Sequence, residues 1–479
     1  MQNGIFINGQ WLNHGPEVPN INPSDTDDVL GSYNWGSVSD IDAAADAARA
    51  AEGAWAEVLP EARAHILRRA GDELIARSEE LGRVLSREQG KTLREGRAEV
   101  IRSGEIFHYY AGETVRNHGF FTPGLRSGFT ISVSREPVGL IGVITPWNLP
   151  LAIPVWKIAP ALAYGNTVIY KPSELTPACA WVLVDILERA GVPPGVLNMV
   201  MGNGRELGQA LIDRSDAISF TGSGPTGSII VEAAARQMKK VQAELGGKSG
   251  LIIDNDCNIE LAVEVAFQGA YHGTGQRCTA STRIIALDSV RDEFLERLVQ
   301  RMASSKVGHA LDATTEIGPV VDDRQLLKNL EYIDIARNEG AELLFGGQRV
   351  ERSHPGYYFE PGLFINTTNQ MRINQEEVFG PVASVLAAHD MDEAIAIAND
   401  VHFALSSGIM TNNLINAENF RRRSKAAMVT INATTAGLDF HVPFGGRSPS
   451  GYGAREQGMA AQEFFTEYKS CYTNVSGRL

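Results

Sequence analysis

Cysteine is scarce in this chain, which has only four in 479 residues: Cys179, Cys257, Cys278 and Cys471. They are far apart and form no C-x-x-C pair, so we expect no disulfide framework, no zinc knuckle and no metal site. Long apolar runs are also missing, and the N-terminal MQNGIFINGQW lacks the basic start and apolar core of a signal peptide. These absences predict a cytoplasmic protein that does not enter a membrane.

Basic residues are fewer than acidic residues in this chain. The chain carries 43 Lys and Arg against 57 Asp and Glu, which gives a formal net charge of -14. This balance argues against nucleic acid or an anionic membrane surface as the main partner. The length exceeds what one hydrophobic core supports, so we expect two or three structural units.

The order of the sequence patterns predicts an α/β protein. Residues 41–116 show helical periodicity, whereas residues 119–137 mix aromatic and β-branched residues with glycines, as in an extended hairpin. From residue 138 short apolar runs alternate with helical stretches, and a second such block follows Gly250. This alternation predicts parallel sheets covered on both faces. The tail EFFTEYKSCYTNV has strand character and is a candidate to pair with the hairpin.

The stretch GQRCTAS places Cys278 directly after Arg277 among small and flexible residues. A cysteine is nucleophilic as the thiolate, which nearby positive charge or converging N–H groups favour. The alternative, a small buried hydrophobe, suits Cys179 and Cys471. It does not suit Cys278, because an apolar pocket would not be built beside Gln276 and Arg277.

Two upstream stretches supply candidate partners for this thiol. In AELGGKSG, Glu244 ends a predicted strand before a flexible glycine pair and is a candidate general base; a solvated strand end is the alternative. In VITPWNLP, Asn148 lies between two prolines after a strand, and its amide is a candidate oxyanion donor. A turn bounded by proline is the alternative reading of Asn148.

Two further stretches have the chemistry of a nucleotide site. FTGSGPTG is a literal G-x-G-x-x-G over residues 222–227, after a strand and before a helix, although a glycine-rich helix start is the alternative. KPSE follows the strand TVIY, so that Lys171 and Glu174 are candidates to hold ribose hydroxyls. The alternative is a turn into a helix capped by Ser173.

Taken together, these stretches resemble the aldehyde dehydrogenase superfamily over nearly the whole chain. PWN, KPSE, FTGS, ELGGK, GQRC, EEVFGP and PFGG before SGYGARE occur in the family's order. The resemblance implies an aldehyde dehydrogenase-like α/β fold with two α/β domains and a small β bridging element. The implied ranges are 1–120 and 138–246 for an NAD-binding domain, 247–448 for a catalytic domain, and 121–137 with 449–479 for an oligomerisation element.

The resemblance also implies roles for particular residues. Cys278 would attack the aldehyde, Asn148 and the Cys278 N–H would hold the oxyanion, hydride would leave to the cofactor, and Glu244 would activate the water that hydrolyses the thioester. The positions that match cofactor contacts are Trp147, Lys171, Ser173, Glu174, Gly222, Ser223, Glu377 and Phe379. The expected cofactor is NAD over NADP, because a carboxylate at Glu174 would repel a 2′-phosphate.

The expected substrate is a small aldehyde that carries a carboxylate. Arg277 is similar to the arginine of relatives that read anionic aldehydes, since a guanidinium binds carboxylate or phosphate bidentately; an internal ion pair is the alternative. Arg102 is a second candidate, because its helix borders the substrate entrance in relatives. Trp156 and His272 stand where succinate semialdehyde dehydrogenases carry arginines, which counts against that substrate.

The chain is most similar to α-ketoglutaric semialdehyde (2,5-dioxopentanoate) dehydrogenases, so that semialdehyde is the first expectation. Succinate semialdehyde and a phosphorylated aldehyde stay open as alternatives, as does acyl transfer to coenzyme A, which a base at Glu244 disfavours. The alternative from a different functional class is a structural or binding relative without catalytic activity. The presence of Cys278, Glu244 and Asn148 together argues against it. Unpaired strand edges predict a homodimer or homotetramer.

Overall fold

The structure is a computed structural model that describes residues 4–116, 119–437 and 439–475. The outermost residues of the ranges predicted above, 1–3 and 476–479, lie outside the described residues. In the described chain before residue 250 the strands are β1 (Ile5–Ile7), β2 (Gln10–Leu12), β3 (Glu17–Asn22), β4 (Asp25–Asn34), β5 (Phe120–Pro123), β6 (Phe129–Pro137), β7 (Leu140–Ile144), β8 (Thr167–Lys171), β9 (Leu197–Val200), β10 (Ala217–Thr221) and β11 (Lys240–Glu244). The helices of this part are α1 (Val38–Ala56), α2 (Pro60–Ala76), α3 (Ser78–Gln89), α4 (Leu93–Glu113), α5 (Ala152–Ala163), α6 (Pro177–Ala190), α7 (Gly204–Arg214) and α8 (Gly224–Ala235).

The described chain from residue 250 onward repeats the alternation. Its strands are β12 (Gly250–Ile253), β13 (Arg283–Leu287), β14 (Glu342–Phe345), β15 (Gly362–Ile365), β16 (Val382–Ala388), β17 (Ser406–Met410), β18 (Met428–Ile431), β19 (Gly451–Tyr452) and β20 (Thr466–Asn474). Its helices are α9 (Ile259–Tyr271), α10 (Asp288–Ala303), α11 (Asp323–Asn338), α12 (Arg372–Gln375), α13 (Met391–Asn399), α14 (Leu414–Arg423) and α15 (Gln462–Phe465).

The first sheet has eight strands in the order β19-β11-β10-β7-β8-β9-β1-β2. Its five central strands, from β11 to β9, are parallel. Strand β19 runs antiparallel to β11, β1 runs antiparallel to β9, and the edge strand β2 runs antiparallel to β1. The strand order reverses between β7 and β10, and loops after such a pair of strands diverge to opposite faces of the sheet. A crevice therefore opens at the carboxyl ends of β7 and β10, which is where parallel α/β sheets bind ligands.

Helices cover both faces of this sheet, as the apolar strand patterns predict. Alternate residues of β7 illustrate the division: Leu140 packs with α1 and α7 on one face, whereas Ile141 packs with α2, α5 and α6 on the other. Helix α5 is buried over all twelve of its residues, including Lys157. A continuous apolar strand in a parallel sheet needs cover on both sides, and the two helical layers provide it.

The second sheet has seven strands in the order β14-β15-β16-β13-β12-β17-β18. All neighbouring pairs from β15 to β18 are parallel, and β14 joins β15 in the antiparallel direction. The predicted second α/β block after Gly250 is therefore present. The chain passes from β11 to β12 through the turn that contains Gly246 and Gly247. The two large sheets are therefore connected directly after Glu244 in the chain.

A third sheet of order β20-β6-β5 confirms the predicted hairpin and its pairing with the tail. Strand β20 runs antiparallel to β6 over nine residues, from Thr466 opposite Pro137 to Asn474 opposite Phe129. Its outer side chains, among them Tyr468 and Tyr472, are exposed. Among the described residues no helix is long and apolar enough to cross a bilayer.

The sequence patterns did not predict the four N-terminal strands or β19. Strands β1 and β2 have three residues each and β19 has two, which is too short for an alternating pattern to be recognised. They are strands because an existing sheet edge supplies partners: β1 pairs with β9, and β19 pairs with β11 beside Glu244.

The core of the first unit gives a test of packing. Leu183 on α6 is fully buried, so Leu183→Ala should lower the free energy of unfolding by about 2–5 kcal/mol, through lost burial and the cavity left behind. Leu327→Ala is the matched control, because Leu327 is 57% exposed on α11, and it should change stability by less than about 0.5 kcal/mol. Urea unfolding followed by tryptophan fluorescence measures both, and equal midpoints for the two variants would contradict the assignment of this core.

Candidate active site

One cavity of 360 Å³ lies beside the carboxyl ends of β7, β10 and β11. Its walls include all five residues predicted for catalysis and substrate binding: Asn148, Glu244, Cys278, Arg277 and Arg102. The fold thus brings together side chains that are up to 176 positions apart in the chain. Thr221, Leu245, Trp156 and Phe444 form much of the remaining wall.

Cys278 follows a short 3-10 turn, His272–Gly275, whose backbone is left-handed at three successive residues. The φ angles are +61° at Gly273, +56° at Thr274 and +63° at Gly275. An added Cβ at Gly275 would lie 2.3 Å from the carbonyl oxygen of Gly380, so glycine is required there. The Thr274 hydroxyl is 3.2 Å from two carbonyl oxygens of residues 318–319, which holds the strained turn in place.

The thiol of Cys278 is protonated at rest. Burial, together with the negative charges of Glu377 and Glu244, raises its pKa to about 12, although the backbone N–H of Cys278 opposes this shift. Arg277 and Cys278 attract each other, but burial and these two carboxyl groups outweigh the effect of the guanidinium on the thiol. The guanidinium of Arg277 donates to the carbonyl oxygens of Gln268 at 2.6 Å and Gly269 at 3.3 Å.

Asn148 lies in the turn between β7 and α5 and is 5% exposed. Its Nδ2 donates to the carbonyl oxygen of Gln276 at 3.1 Å, two residues before Cys278. A carboxamide nitrogen carries two hydrogens, so one N–H is left for a group in the cavity. Asn148 is therefore placed as a donor within the same cavity as the sulfur.

Glu244 ends β11 and is 3% exposed. Its Oε2 accepts the N–H of Gly446 at 2.9 Å, and an added Cβ at Gly445 would lie 2.2 Å from Oε1. Burial raises the pKa of Glu244 well above its usual range, and the nearby Glu456 raises it further. The side chain is a buried carboxyl with a high proton affinity, which suits a general base or acid.

A second buried acid and a lysine lie near Glu244, and neither was predicted from the sequence. Glu456 forms an ion pair with Lys157, whose Nζ also donates to the Ser219 hydroxyl at 3.1 Å. The side chains of Lys157 and Glu456 are 0% and 1% exposed. A single lysine inside the otherwise apolar helix AIPVWKIAPALA was the available signal, because a buried lysine requires a partner.

The two charged residues of KPSE form an ion pair at the end of β8. Lys171 Nζ lies 2.9 Å from Glu174 Oε1, which also accepts the N–H of Gly204 at 2.7 Å. Burial favours the neutral acid, but Lys171 and the Gly204 N–H outweigh it and lower the pKa of Glu174. Ser173 does not cap a helix: its hydroxyl accepts the N–H of Leu175 at 3.2 Å, and α6 starts only after Thr176.

Gly222 and Ser223 join β10 to α8. The N–H of Gly222 donates to the carbonyl oxygen of Glu244 at 3.0 Å, and an added Cβ there would lie 2.5 Å from the ring of Phe220. Ser223 is the N-cap of α8, and its hydroxyl donates to Thr226 Oγ1 at 2.9 Å. An added Cβ at Gly224 meets no atom within 4 Å, so the start of this helix faces open space.

Glu377, Phe379 and Trp147 meet where the two large sheets join. Glu377 Oε1 accepts the N–H of Gly247 at 2.9 Å, and burial raises the pKa of this carboxyl. The rings of Trp147 and Phe379 contact edge to face, with centroids 5.4 Å apart. Among the described residues no cluster of three or more His, Cys, Asp or Glu side chains is arranged to hold a metal ion.

The two candidate substrate residues differ in their surroundings. Nε of Arg277 is buried without a hydrogen-bond partner among the described residues. The guanidinium of Arg102 lies 5.9 Å from the ring of Phe440. Three acidic residues of α4 that the sequence analysis did not weigh also line the cavity: Glu95, Glu99 and Glu105.

Comparison with known proteins gives sequence relatives over almost the full length. Alpha-ketoglutaric semialdehyde dehydrogenase of Bacillus subtilis is 40% identical over 473 residues, which cover 98% of this chain and 97% of the relative. Betaine aldehyde dehydrogenase of the same organism is 37% identical, covering 99% of this chain and 98% of the relative.

Solved structures agree with the fold. The NAD-dependent aldehyde dehydrogenase of Sinorhizobium meliloti superposes with a TM-score of 0.97 at 32% identity, covering 100% of this chain and 96% of that chain. Betaine aldehyde dehydrogenase of Staphylococcus aureus in complex with NAD+ gives 0.96 at 34% identity, covering 99% and 95%. These likenesses confirm the resemblance and the fold class expected from the motifs. Residues 11–471 match the aldehyde dehydrogenase family, and with a cysteine, a glutamate and an asparagine around one cavity the chain belongs to that family.

Proposed function

We propose that this chain oxidises an anionic semialdehyde to the carboxylic acid with NAD as acceptor, and that α-ketoglutaric semialdehyde, which gives 2-oxoglutarate, is its substrate. The observation that carries the proposal is the single cavity lined by Cys278, Asn148, Glu244 and Arg277. The name of the Bacillus subtilis relative at 40% identity supports the choice of semialdehyde.

Cys278 is the nucleophile in this proposal, and Asn148 holds the charge that its attack creates. The thiol loses its proton to solvent, the thiolate sulfur adds to the aldehyde carbon, and the carbonyl oxygen becomes an oxyanion. The free N–H of Asn148 and the backbone N–H of Cys278 donate to that oxygen. Donors that the protein already holds in position stabilise such a charge more than water does, because they need not reorganise.

The residues at the crevice fit a nicotinamide dinucleotide. The ionised Glu174 beside Lys171 can accept ribose hydroxyls, the open start of α8 at Gly224 offers N–H groups to phosphates, and Glu377 can hold the second ribose. When bound, this cofactor supplies a cationic ring that favours the thiolate and accepts hydride from the reacting carbon. The proposed contacts also include Trp147, Ser173, Gly222, Ser223 and Phe379. The ionised Glu174 disfavours the 2′-phosphate of NADP.

Glu244 completes the reaction by hydrolysing the thioester on Cys278. Its carboxylate takes a proton from water, and the hydroxide formed attacks the acyl carbon and releases the acid. The raised pKa of Glu244 makes the carboxylate a stronger base than a solvated glutamate would be. This role explains why a carboxyl group is held in a buried cavity, although ionising the group there costs free energy.

Arg277 is proposed to bind the carboxylate of the substrate, with Arg102 as a second contact nearer the mouth. The two carbonyl oxygens of Gln268 and Gly269 occupy only Nη2 of Arg277, so the rest of the guanidinium is left for the substrate. A cationic aldehyde is the second candidate substrate, because Glu95 and Glu105 line the same cavity and betaine aldehyde dehydrogenases are among the relatives.

We also propose that the first sheet, with ranges 1–120 and 138–246, binds the cofactor and that residues 247–448 form the catalytic domain. The third sheet, within 121–137 and 449–479, would join subunits into a homodimer or homotetramer. Exposed Phe121, Tyr468 and Tyr472 on this sheet support the last point, since a partner would cover them.

Replacing the two reacting side chains should separate the two halves of the reaction. Cys278→Ser should abolish both NADH formation and acyl transfer. Glu244→Gln should still give about one NADH per active site in a first turnover, with hydrolysis then slowed by about 10²–10⁴-fold. Stopped-flow absorbance and intact-protein mass spectrometry of the acyl adduct measure the two steps. A Glu244→Gln variant that turns over at the normal steady rate would exclude Glu244 as the base.

The pH dependence of hydrolysis should report Glu244. Because the base must be ionised and its pKa is raised, the rate falls as pH decreases through a value above the usual carboxyl range. Glu456→Gln removes a negative charge that raises this pKa and leaves Lys157 uncompensated, so both effects move the acid limb to lower pH. Deacylation rates across roughly pH 5 to 9 test this, and an acid limb that stays in place or moves upward contradicts it.

Substrate choice is tested by Arg277→Gln. Loss of a charge-assisted hydrogen bond should raise KM for α-ketoglutaric semialdehyde by about tenfold to a hundredfold and leave KM for propanal within about twofold. Arg102→Gln is the matched comparison and should have a smaller effect. Betaine aldehyde serves as the cationic probe: a kcat/KM above that of the semialdehyde in the unmodified enzyme would favour the second candidate.

A further inference from the structure

The turn that carries Asn148 is held by a buried ion pair that has no role in the chemistry above. Lys91, between α3 and α4, and Glu99, within α4, are joined by a contact of 2.6 Å from Nζ to Oε2. Their side chains are only 6% and 4% exposed. A buried ion pair is a weak source of stability, because the desolvation of both charges offsets their attraction, so its position invites a functional explanation.

The pair holds the Asn148 turn at both ends. Lys91 Nζ donates to the main-chain carbonyl oxygen of Asn148 at 2.8 Å. Glu99 Oε1 accepts the N–H groups of Leu151 at 3.0 Å and Ala152 at 3.1 Å, where α5 begins. The first N–H groups of a helix lack partners within it, and any acceptor would satisfy them. The lysine adds a contact to the very residue whose amide faces the cavity.

The opposite side of Asn148 is held by the nucleophile loop. Its Nδ2 donates to the carbonyl oxygen of Gln276, while its main chain is held by Lys91. The direction of the free N–H is therefore determined by two contacts on either side of the same residue. A displacement of about 1 Å at such a donor costs on the order of a hundredfold in rate.

We propose that Lys91 and Glu99 are positioning residues that hold the Asn148 amide in place as the oxyanion donor. This inference rests on the proposed role of Asn148. Removal of either charge leaves the other buried and uncompensated, so the turn shifts to let water reach it. The main effect falls on attack by the thiol, because that step creates the oxyanion, and cofactor binding is unaffected.

Glu88 provides a matched control on the same side of the molecule. It is also a buried glutamate, 1% exposed, and it accepts the N–H groups of Ala178 at 2.5 Å and Cys179 at 2.9 Å at the start of α6. Glu88 thus accepts the first N–H groups of α6 as Glu99 accepts those of α5, but its N–H partners lie outside the Asn148 turn. Glu88→Gln reports the cost of altering a buried helix-capping carboxyl alone.

The experiment is a double-mutant cycle on the full-length enzyme with NAD and propanal, an uncharged substrate that does not involve Arg277. Single-turnover NADH formation is measured for Glu99→Gln, Lys91→Met and Glu88→Gln, each alone and combined with Asn148→Ala. Alone, Glu99→Gln and Lys91→Met should slow the first turnover by about 10–100-fold, with KM for NAD unchanged. In the Asn148→Ala background each should cost less than about threefold, because the group they position is absent.

The outcomes separate this inference from the proposed function. Glu99→Gln that costs the same factor with and without Asn148, or no more than Glu88→Gln, overturns the positioning role and leaves Asn148 as the donor. Asn148→Ala with an unchanged first turnover overturns the oxyanion assignment itself, and the positioning role with it. Circular dichroism and Tm verify that each variant folds. If Lys91→Met fails to fold, Glu99→Gln, which preserves side-chain size, tests the positioning role by itself.

Discussion

The close approach of the two large sheets at the turn of Gly246 and Gly247 is the constraint on which the site depends. An added Cβ at Gly246 would lie 2.5 Å from Glu377 Oε2, and one at Gly247 would lie 2.2 Å from the carbonyl oxygen of Cys278. No side chain fits between these groups. The glycine pair therefore allows Glu244, at the end of the first sheet, to face a cysteine that belongs to the second.

Burial within this junction controls the chemistry of the reacting groups. It raises the pKa values of Cys278, Glu244 and Glu377. The charges of Glu377 and Glu244 raise the pKa of Cys278 further, and that of Glu456 raises the pKa of Glu244. The thiol is neutral at rest, and its carboxyl neighbours favour that form. In the proposed reaction a bound nicotinamide cation would supply positive charge beside the thiol and would favour the thiolate.

The cavity is lined by charged side chains of both signs. Some of them are already paired with another side chain or with the main chain, which leaves fewer to contact a substrate. The charge of Glu99 is neutralised by Lys91, and the guanidinium of Arg277 donates hydrogen bonds to two carbonyl oxygens of α9. Glu95 accepts the N–H of Gly273 at 2.7 Å and so helps to hold the nucleophile loop. A count of charged residues around the cavity is therefore a poor guide to the substrate.

The sequence by itself determined the fold class, the hairpin that pairs with the tail, and the positions of Cys278, Glu244 and Asn148, because local periodicity and ordered motifs report these directly. It missed the Lys157–Glu456 and Lys91–Glu99 pairs, whose members meet only through folding. It pointed to Arg277 beside Cys278, whereas in the structure burial and carboxyl groups that are distant in the chain have the largest effect on the pKa of the thiol. Only the tertiary structure decided these points, because burial and charge contact depend on which chain segments pack together rather than on which residues are neighbours in sequence.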